Sequence, residues 1–407
     1  MSTSAPVASA DLEAELAAVD EREPTVRAWV RRHDADVLRA AVADAPAGPL
    51  RGFTLGVKDV IDTADLATER NSSICVGRQP SADAAAVALA RAAGAVVAGK
   101  TVTTEYAYFS PGPTTNPHDP TRTPGGSSSG SAAAVAAGMC RIAFGTQTGG
   151  SVIRPASFCG VIGFKPTFDL VPFTGVSPVA PSFDTLGWYG RTLDDIGAVL
   201  DALAPAGAAS RATAPPRLGL YLGHHVDEAD EVTLAELARI ADVLRAAGIE
   251  VVELDPFEAF APLRRAHQVI MATEASRALS WERIHHADEL SPQLTTLITE
   301  GLAIGADEYR AAQEATVAAR AFLAERLDTL GLDALLTLAA PGEAPIGLAS
   351  TGSPVFNLAW TMLRLPCLTL PLATGDHGLP IGVQLVGRRW HDRDLLATAA
   401  AVHAATA

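Results

Sequence analysis

Four hundred and seven residues, at roughly 150 per domain, allow two or three domains or one large α/β unit; 48% hydrophobic against 19% charged residues excludes global disorder. Aromatics are only 5%, so the interior must be built from Ala, Val, Leu and Ile with closely packed backbones. A formal charge of −15 disfavours nucleic acid and anionic membrane surfaces as partners.

The first twenty residues lack a basic n-region and an apolar h-region, so they do not read as a signal peptide. Residues 9–20 instead show a helical pattern, with Leu12, Leu16 and Val19 on one side. A second helix is expected over 35–44, before the breaker Pro46–Pro49. Gly52–Val60 reads as a strand carrying Lys58 inside an apolar run. An Ala-rich helix over 82–93 leads to a strand at Ala95–Ala98. Ser110–Pro124 holds five prolines and reads as a long ordered loop. Ser131–Gly138 is helical in pattern, Ile142–Phe144 a short strand, and 145–151 a glycine-rich turn. Later strands are expected at Leu218–Leu222, Ile249–Leu254, Ala334–Leu338, Cys367–Leu370 and Ile381–Leu385. Helices are expected over 230–247, through about 330, near 354–363 and over 392–405. The best linker candidate is the Ala- and Pro-rich 203–217, but strands resume on both sides. No repeat is present, so one mixed-sheet domain over 1–407 is expected, with a helical segment 1–48 and a core 50–407.

Three glycine-rich motifs compete for the chemistry. Gly94-Ala-Val-Val-Ala-Gly99-Lys100-Thr101 satisfies GxxxxGK[ST], but its four intervening residues belong in a strand, and it follows a helix. Gly126-Ser127-Ser128-Ser129-Gly130 satisfies GxSxG, yet Pro117, Pro120 and Pro124 occupy the place of the required strand. A Ser–His–Asp esterase on that motif would need a late histidine, His377 or His391. The third motif, Gly145-Thr146-Gln147-Thr148-Gly149-Gly150-Ser151, can point several N–H groups at one spot beside a hydroxyl.

Taken together, GVKDVID around Lys58, TPGGSSSGSAAAVAAG at 123–138 and GTQTGGSVIRPASFCGVIGFKPT at 145–167 resemble the amidase signature family. SFDTLG at 182–187 and GLPIGVQLVG at 378–387 are similar to further segments of it, and the likeness runs from about residue 10 to 405. The resemblance implies the amidase-signature fold, a central twisted mixed sheet covered by helices on both faces. It also implies a Ser–cisSer–Lys triad of Lys58, Ser127 and Ser151, with a cis Gly126–Ser127 bond. Backbone N–H groups of Thr148, Gly149, Gly150 and Ser151 would form the oxyanion hole. A buried Lys58 would lose proton affinity and act as base through Ser127.

Three positions depart from the commonest family pattern. Ser129 stands where glycine is usual, and Gln147 where aspartate is usual. Arg154 falls three residues after Ser151 instead of two, which is similar to the malonamidase branch and would let it grip a substrate carboxylate. The plainer reading of Arg154 is a buried ion pair with Asp or Glu. The histidine pairs 224–225 and 285–286 lack metal-ligand spacing, and Cys159 sits in an apolar, inert setting.

The expected activity is therefore hydrolysis of a small carboxylic amide, malonamate-like, to acid and ammonia, without metal or cofactor. A small-molecule amide is the expected partner; nucleic acid and membrane are not, and family analogy allows a homodimer. The few, unpaired cysteines and the apparent lack of a leader point to the cytoplasm. The alternatives are an amidase-fold subunit of a tRNA-dependent amidotransferase, a non-catalytic binding protein and the Ser–His–Asp esterase.

Overall fold

The computed structural model describes residues 7–204 and 215–407, so most of the 203–217 linker candidate lies outside the described residues. The strands are β1 (Trp29–Arg32), β2 (Thr54–Lys58), β3 (Val96–Thr101), β4 (Ile142–Gln147), β5 (Ile162–Lys165) and β6 (Thr185–Gly190). They continue as β7 (Arg217–Tyr221), β8 (Glu250–Leu254), β9 (Ala334–Leu338), β10 (Cys367–Thr374) and β11 (Pro380–Gly387). All belong to one sheet in the order β1-β3-β2-β4-β6-β5-β10-β11-β9-β7-β8. The β2–β3, β2–β4, β7–β8 and β7–β9 pairs are parallel and the rest antiparallel, so the sheet is mixed.

Successive strand residues point to opposite faces, and the core is divided accordingly. Leu55 and Val57 of β2, Ile142 and Phe144 of β4, and Leu368 and Leu370 of β10 enter one large cluster. Helices Ala85–Ala92, Leu193–Leu203, Glu231–Ala246 and Asp392–Thr406 supply its other side. Ala143, Cys367 and Leu335 face the opposite way, toward helices Ser129–Ala136, Ile153–Cys159, Leu263–Ala278 and Ala306–Leu330. The expected α/β class, a mixed sheet under helices on both faces, is the one observed.

Four elements are not legible in the pattern. Strand β1 is WVRR, mostly exposed; it closes the sheet edge with arginines rather than an apolar alternation. Strands β5 and β6 are short, buried on both faces and interrupted by glycines, so they carry no period of two. Helix Ile153–Cys159 contains Pro155, which reads as a breaker but lies in the first turn, where its missing N–H costs no intrahelical bond. The GxxxxGK[ST] segment is a turn at Gly94, φ +102°, running into the fully buried β3. Its Lys100 donates to the Thr68 hydroxyl and the Ile61 carbonyl, with Asp59 3.7 Å away, so it serves the core.

Candidate active site

Because Leu55 and Val57 face the large core, Lys58 is turned to the other side of β2. There it is fully buried, and Nζ donates to Ser127 Oγ and to Thr146 Oγ1, both at 2.7 Å. Burial holds its proton affinity well below the ordinary lysine value, while the carboxylate of Asp184 acts to raise it. No acidic side chain forms an ion pair with Lys58 among the described residues.

Ser127 precedes helix Ser129–Ala136, and the Gly126–Ser127 peptide is cis. Two glycines set this approach. Gly125 lies at φ +82°, where a side chain would meet Pro155 Cα at 2.8 Å, and one at Gly130 would meet Ala28 O at 2.2 Å and Val102 N at 2.4 Å. The start of the helix therefore rests directly on neighbouring backbone. Ser128, the serine of the GxSxG match, is wholly buried, with its hydroxyl bridging Thr146 O and Thr146 N at 3.2 Å. It has no access to a substrate, which removes it as a nucleophile.

The turn after β4 is held from outside itself. His267 Nε2 donates to Thr148 O at 2.9 Å, Thr361 Oγ1 to Gly149 O at 2.7 Å and Tyr189 Oη to Ser151 O at 3.1 Å. Arg154 N donates to Gly150 O at 3.0 Å. With the carbonyls taken, the amides of Thr148, Gly149, Gly150 and Ser151 find no acceptor among the described residues. Unpaired backbone donors are costly where water is excluded, so such a group is a ready receptor for an anionic oxygen. Asp184 fixes the turn's first hydroxyl, accepting from Thr148 Oγ1 at 2.5 Å and from Val179 N and Ala180 N. Burial raises the Asp184 carboxyl to about 6 and lowers His267 to about 4, so His267 donates as a neutral imidazole.

Gln147 explains its own departure from aspartate. Its Oε1 accepts from Val152 N at 2.8 Å and Ile153 N at 3.0 Å, capping helix Ile153–Cys159, while Nε2 donates to Thr361 at 2.9 Å. A carboxylate could accept both bonds but not make the third.

Arg154 is 2% exposed, and Nη2 donates to Gly126 O at 2.6 Å and Thr351 Oγ1 at 3.1 Å. Its Nε and Nη1 have no partner, and no Asp or Glu pairs with it among the described residues. The ion-pair reading of this arginine is thus not what the fold builds. Burial lowers its proton affinity only to about 10, so it stays cationic at neutral pH.

Ser127, Ser151, Arg154 and the 148–150 turn all line one cavity of about 660 Å³. Lys58 lies behind Ser127 and does not line it. Ser151 Oγ makes no hydrogen bond to Ser127 or any other group among the described residues. Neither His377, bonded to Glu343, nor His391, bonded to Asp394, reaches the cavity. Cys159 is fully buried and burial pushes its thiol up, away from the reactive thiolate. Among the described residues no cluster of His, Cys, Asp and Glu could hold a metal ion, and no helix is long and apolar enough to cross a membrane. Sequence reading misses Thr146, Asp184, His267 and Thr361, all common residue types whose roles arise only from long-range contacts.

A family model described as Amidase matches residues 12–396. The chain is 32% identical over 440 aligned residues to a glutamyl-tRNA(Gln) amidotransferase subunit of Chloroflexus aurantiacus, covering 94% of this chain and 90% of that one. It superposes on a crystal structure of an amidase with a TM-score of 0.86 at 29% identity, covering 98% and 96% of the two chains. Native peptide amidase from Stenotrophomonas maltophilia gives 0.80 at 28% identity, covering 98% and 93%.

Proposed function

The chain belongs to the amidase family and is an amide-hydrolysing enzyme, and from that premise we propose that its substrate is a small amide carrying a free carboxylate, malonamate-like, cleaved to the acid and ammonia. The observation that carries this reading is Arg154, a buried guanidinium in the cavity wall with two idle nitrogens and no protein anion. A substrate carboxylate supplies the missing partner and holds the amide carbonyl over Ser151.

In this reading Ser151 Oγ attacks the carbonyl carbon while its proton passes to Ser127 Oγ, whose own proton passes to Lys58 Nζ. Amides of the 148–151 turn receive the oxyanion, each such donor contributing about 2.7–4 kcal/mol to the barrier. Lys58 then returns the proton through Ser127 to the amide nitrogen, the C–N bond breaks, and ammonia leaves. Water attacks the acyl-enzyme along the same relay and frees Ser151. The Lys58–Ser127 bond at 2.7 Å supports the inner half of the relay. The outer half is the kind of contact that tightens when substrate is bound.

Arg154→Gln tests the carboxylate reading, because glutamine keeps an N–H for Gly126 O. We expect KM for malonamate to rise by roughly 10²-fold, with KM for acetamide unchanged; equal effects on both would overturn it. Asp184→Asn tests the electrostatics. The amide preserves all three bonds of the carboxylate but removes the charge that raises Lys58. The acid limb of the kcat/KM profile therefore moves to lower pH, and an unmoved limb would dissociate it from Lys58.

The amidotransferase relatives favour a second reading, in which this chain acts only within an assembly. Ammonia release by the isolated chain from malonamate, malonamide, acetamide and an aryl amide separates the two. Rapid turnover of malonamate supports a free amidase, and silence on every amide supports a chain that works only with partners.

A further inference from the structure

The cavity has two unlike ends. One end carries Ser127, Ser151, Arg154 and Thr351. The other is walled by Val179, Ala272 and Leu297, with Tyr108, Met271 and Ile304 packed on them. These six form a satellite hydrophobic cluster, separate from the main cores, whose open side is the cavity itself. Protein interiors rarely leave voids larger than a water molecule, whereas a cavity of about 660 Å³ lies in the range that holds drug-sized ligands. A three-carbon amide acid fills only a fraction of it. Charges at the mouth do not contradict an apolar occupant: Arg265 pairs with Glu308 at 2.7 Å, Arg264 pairs with Glu228, and Glu300 is exposed to solvent.

We propose that the substrate carries, besides its amide and carboxylate, an uncharged apolar arm of aromatic or branched-aliphatic size seated against Met271, Leu297 and Ile304. Helices Leu263–Ala278 and Pro292–Ala303 thereby determine specificity while the sheet side supplies the reacting groups. The amide-plus-carboxylate head rests on the proposed function; the arm rests on the apolar wall alone.

Four substrates separate the two claims: acetamide, malonamate, 3-phenylpropanamide and 2-benzylmalonamate, which add the carboxylate and the benzyl arm singly and together. The expected result is that the arm raises kcat/KM about tenfold or more, with and without the carboxylate. Met271→Ser should lower that arm ratio several-fold. An arm ratio at or below one with malonamate still cleaved overturns the arm and keeps the carboxylate reading. Cleavage of 3-phenylpropanamide without either carboxylate substrate overturns the head and sustains the arm. A large ratio that Met271→Ser leaves unchanged overturns this wall as its seat, and failure on all four overturns both. The wild-type comparison decides the arm even if the variant does not fold.

Discussion

Ser151→Ala lowers amide turnover by roughly 10⁴-fold or more while leaving the melting temperature where it was. The kinetic half follows from the removed oxygen being the proposed attacking atom. The thermal half follows from the structure. Ser151 Oγ holds no hydrogen bond among the described residues, and the turn is secured through the Ser151 carbonyl by Tyr189. Alanine keeps that carbonyl, its amide and its Cβ, so the stability change should stay within about 0.5 kcal/mol. Ammonia release and a thermal melt on the same preparation check both. Activity near that of the parent would remove Ser151 from the nucleophile's role.

Lys58→Met is the second large effect, and it runs in opposite directions for activity and stability. Methionine matches the length of lysine but cannot accept a proton, so turnover should fall by about 10²–10⁴-fold, the usual worth of a general base. Stability is linked to the proton. Burial depresses the folded value of Lys58 below its ordinary 10.5, so between those two values the unfolded chain binds a proton that the folded chain does not. Parent stability therefore rises with pH across that window, and the full cost of burying the ammonium is present below it. The variant loses this slope and should be the more stable of the two on the acid side. Loss of a partner for Thr146 Oγ1 works against that gain by about 1 kcal/mol. Melting temperature against pH for both proteins measures the difference; parallel curves would mean that Lys58 is not buried as a strained cation.

Much of this site can be read in the chain because its chemistry is concentrated locally. A lysine inside an apolar strand and two serine-glycine runs announce Lys58, Ser127 and Ser151, and the one-residue shift singles out Arg154. What escapes is the support. Thr361 reaches the turn across 212 residues and His267 across 119, and nothing local marks a threonine or a lone histidine as a clamp. Asp184 sits in a segment that stands out only for its family likeness, which gives the carboxylate no role. The fold shows the same division. Long periodic elements are legible, whereas β5 and β6 are not, since a short strand buried on both faces leaves no alternation to detect.

Lys58 is hidden behind Ser127, on the sheet, while the far wall of the cavity is built by helices that touch none of the relay. Any reagent or substrate entering from the mouth meets the serines and the arginine but never the amine. Reactivity and selection thus reside in different layers of the molecule, and the selecting layer can diverge without retuning the base. Among descendants of one such ancestor, new substrates would arise mainly from changes in residues 263–304, with the strand carrying Lys58 left as it was.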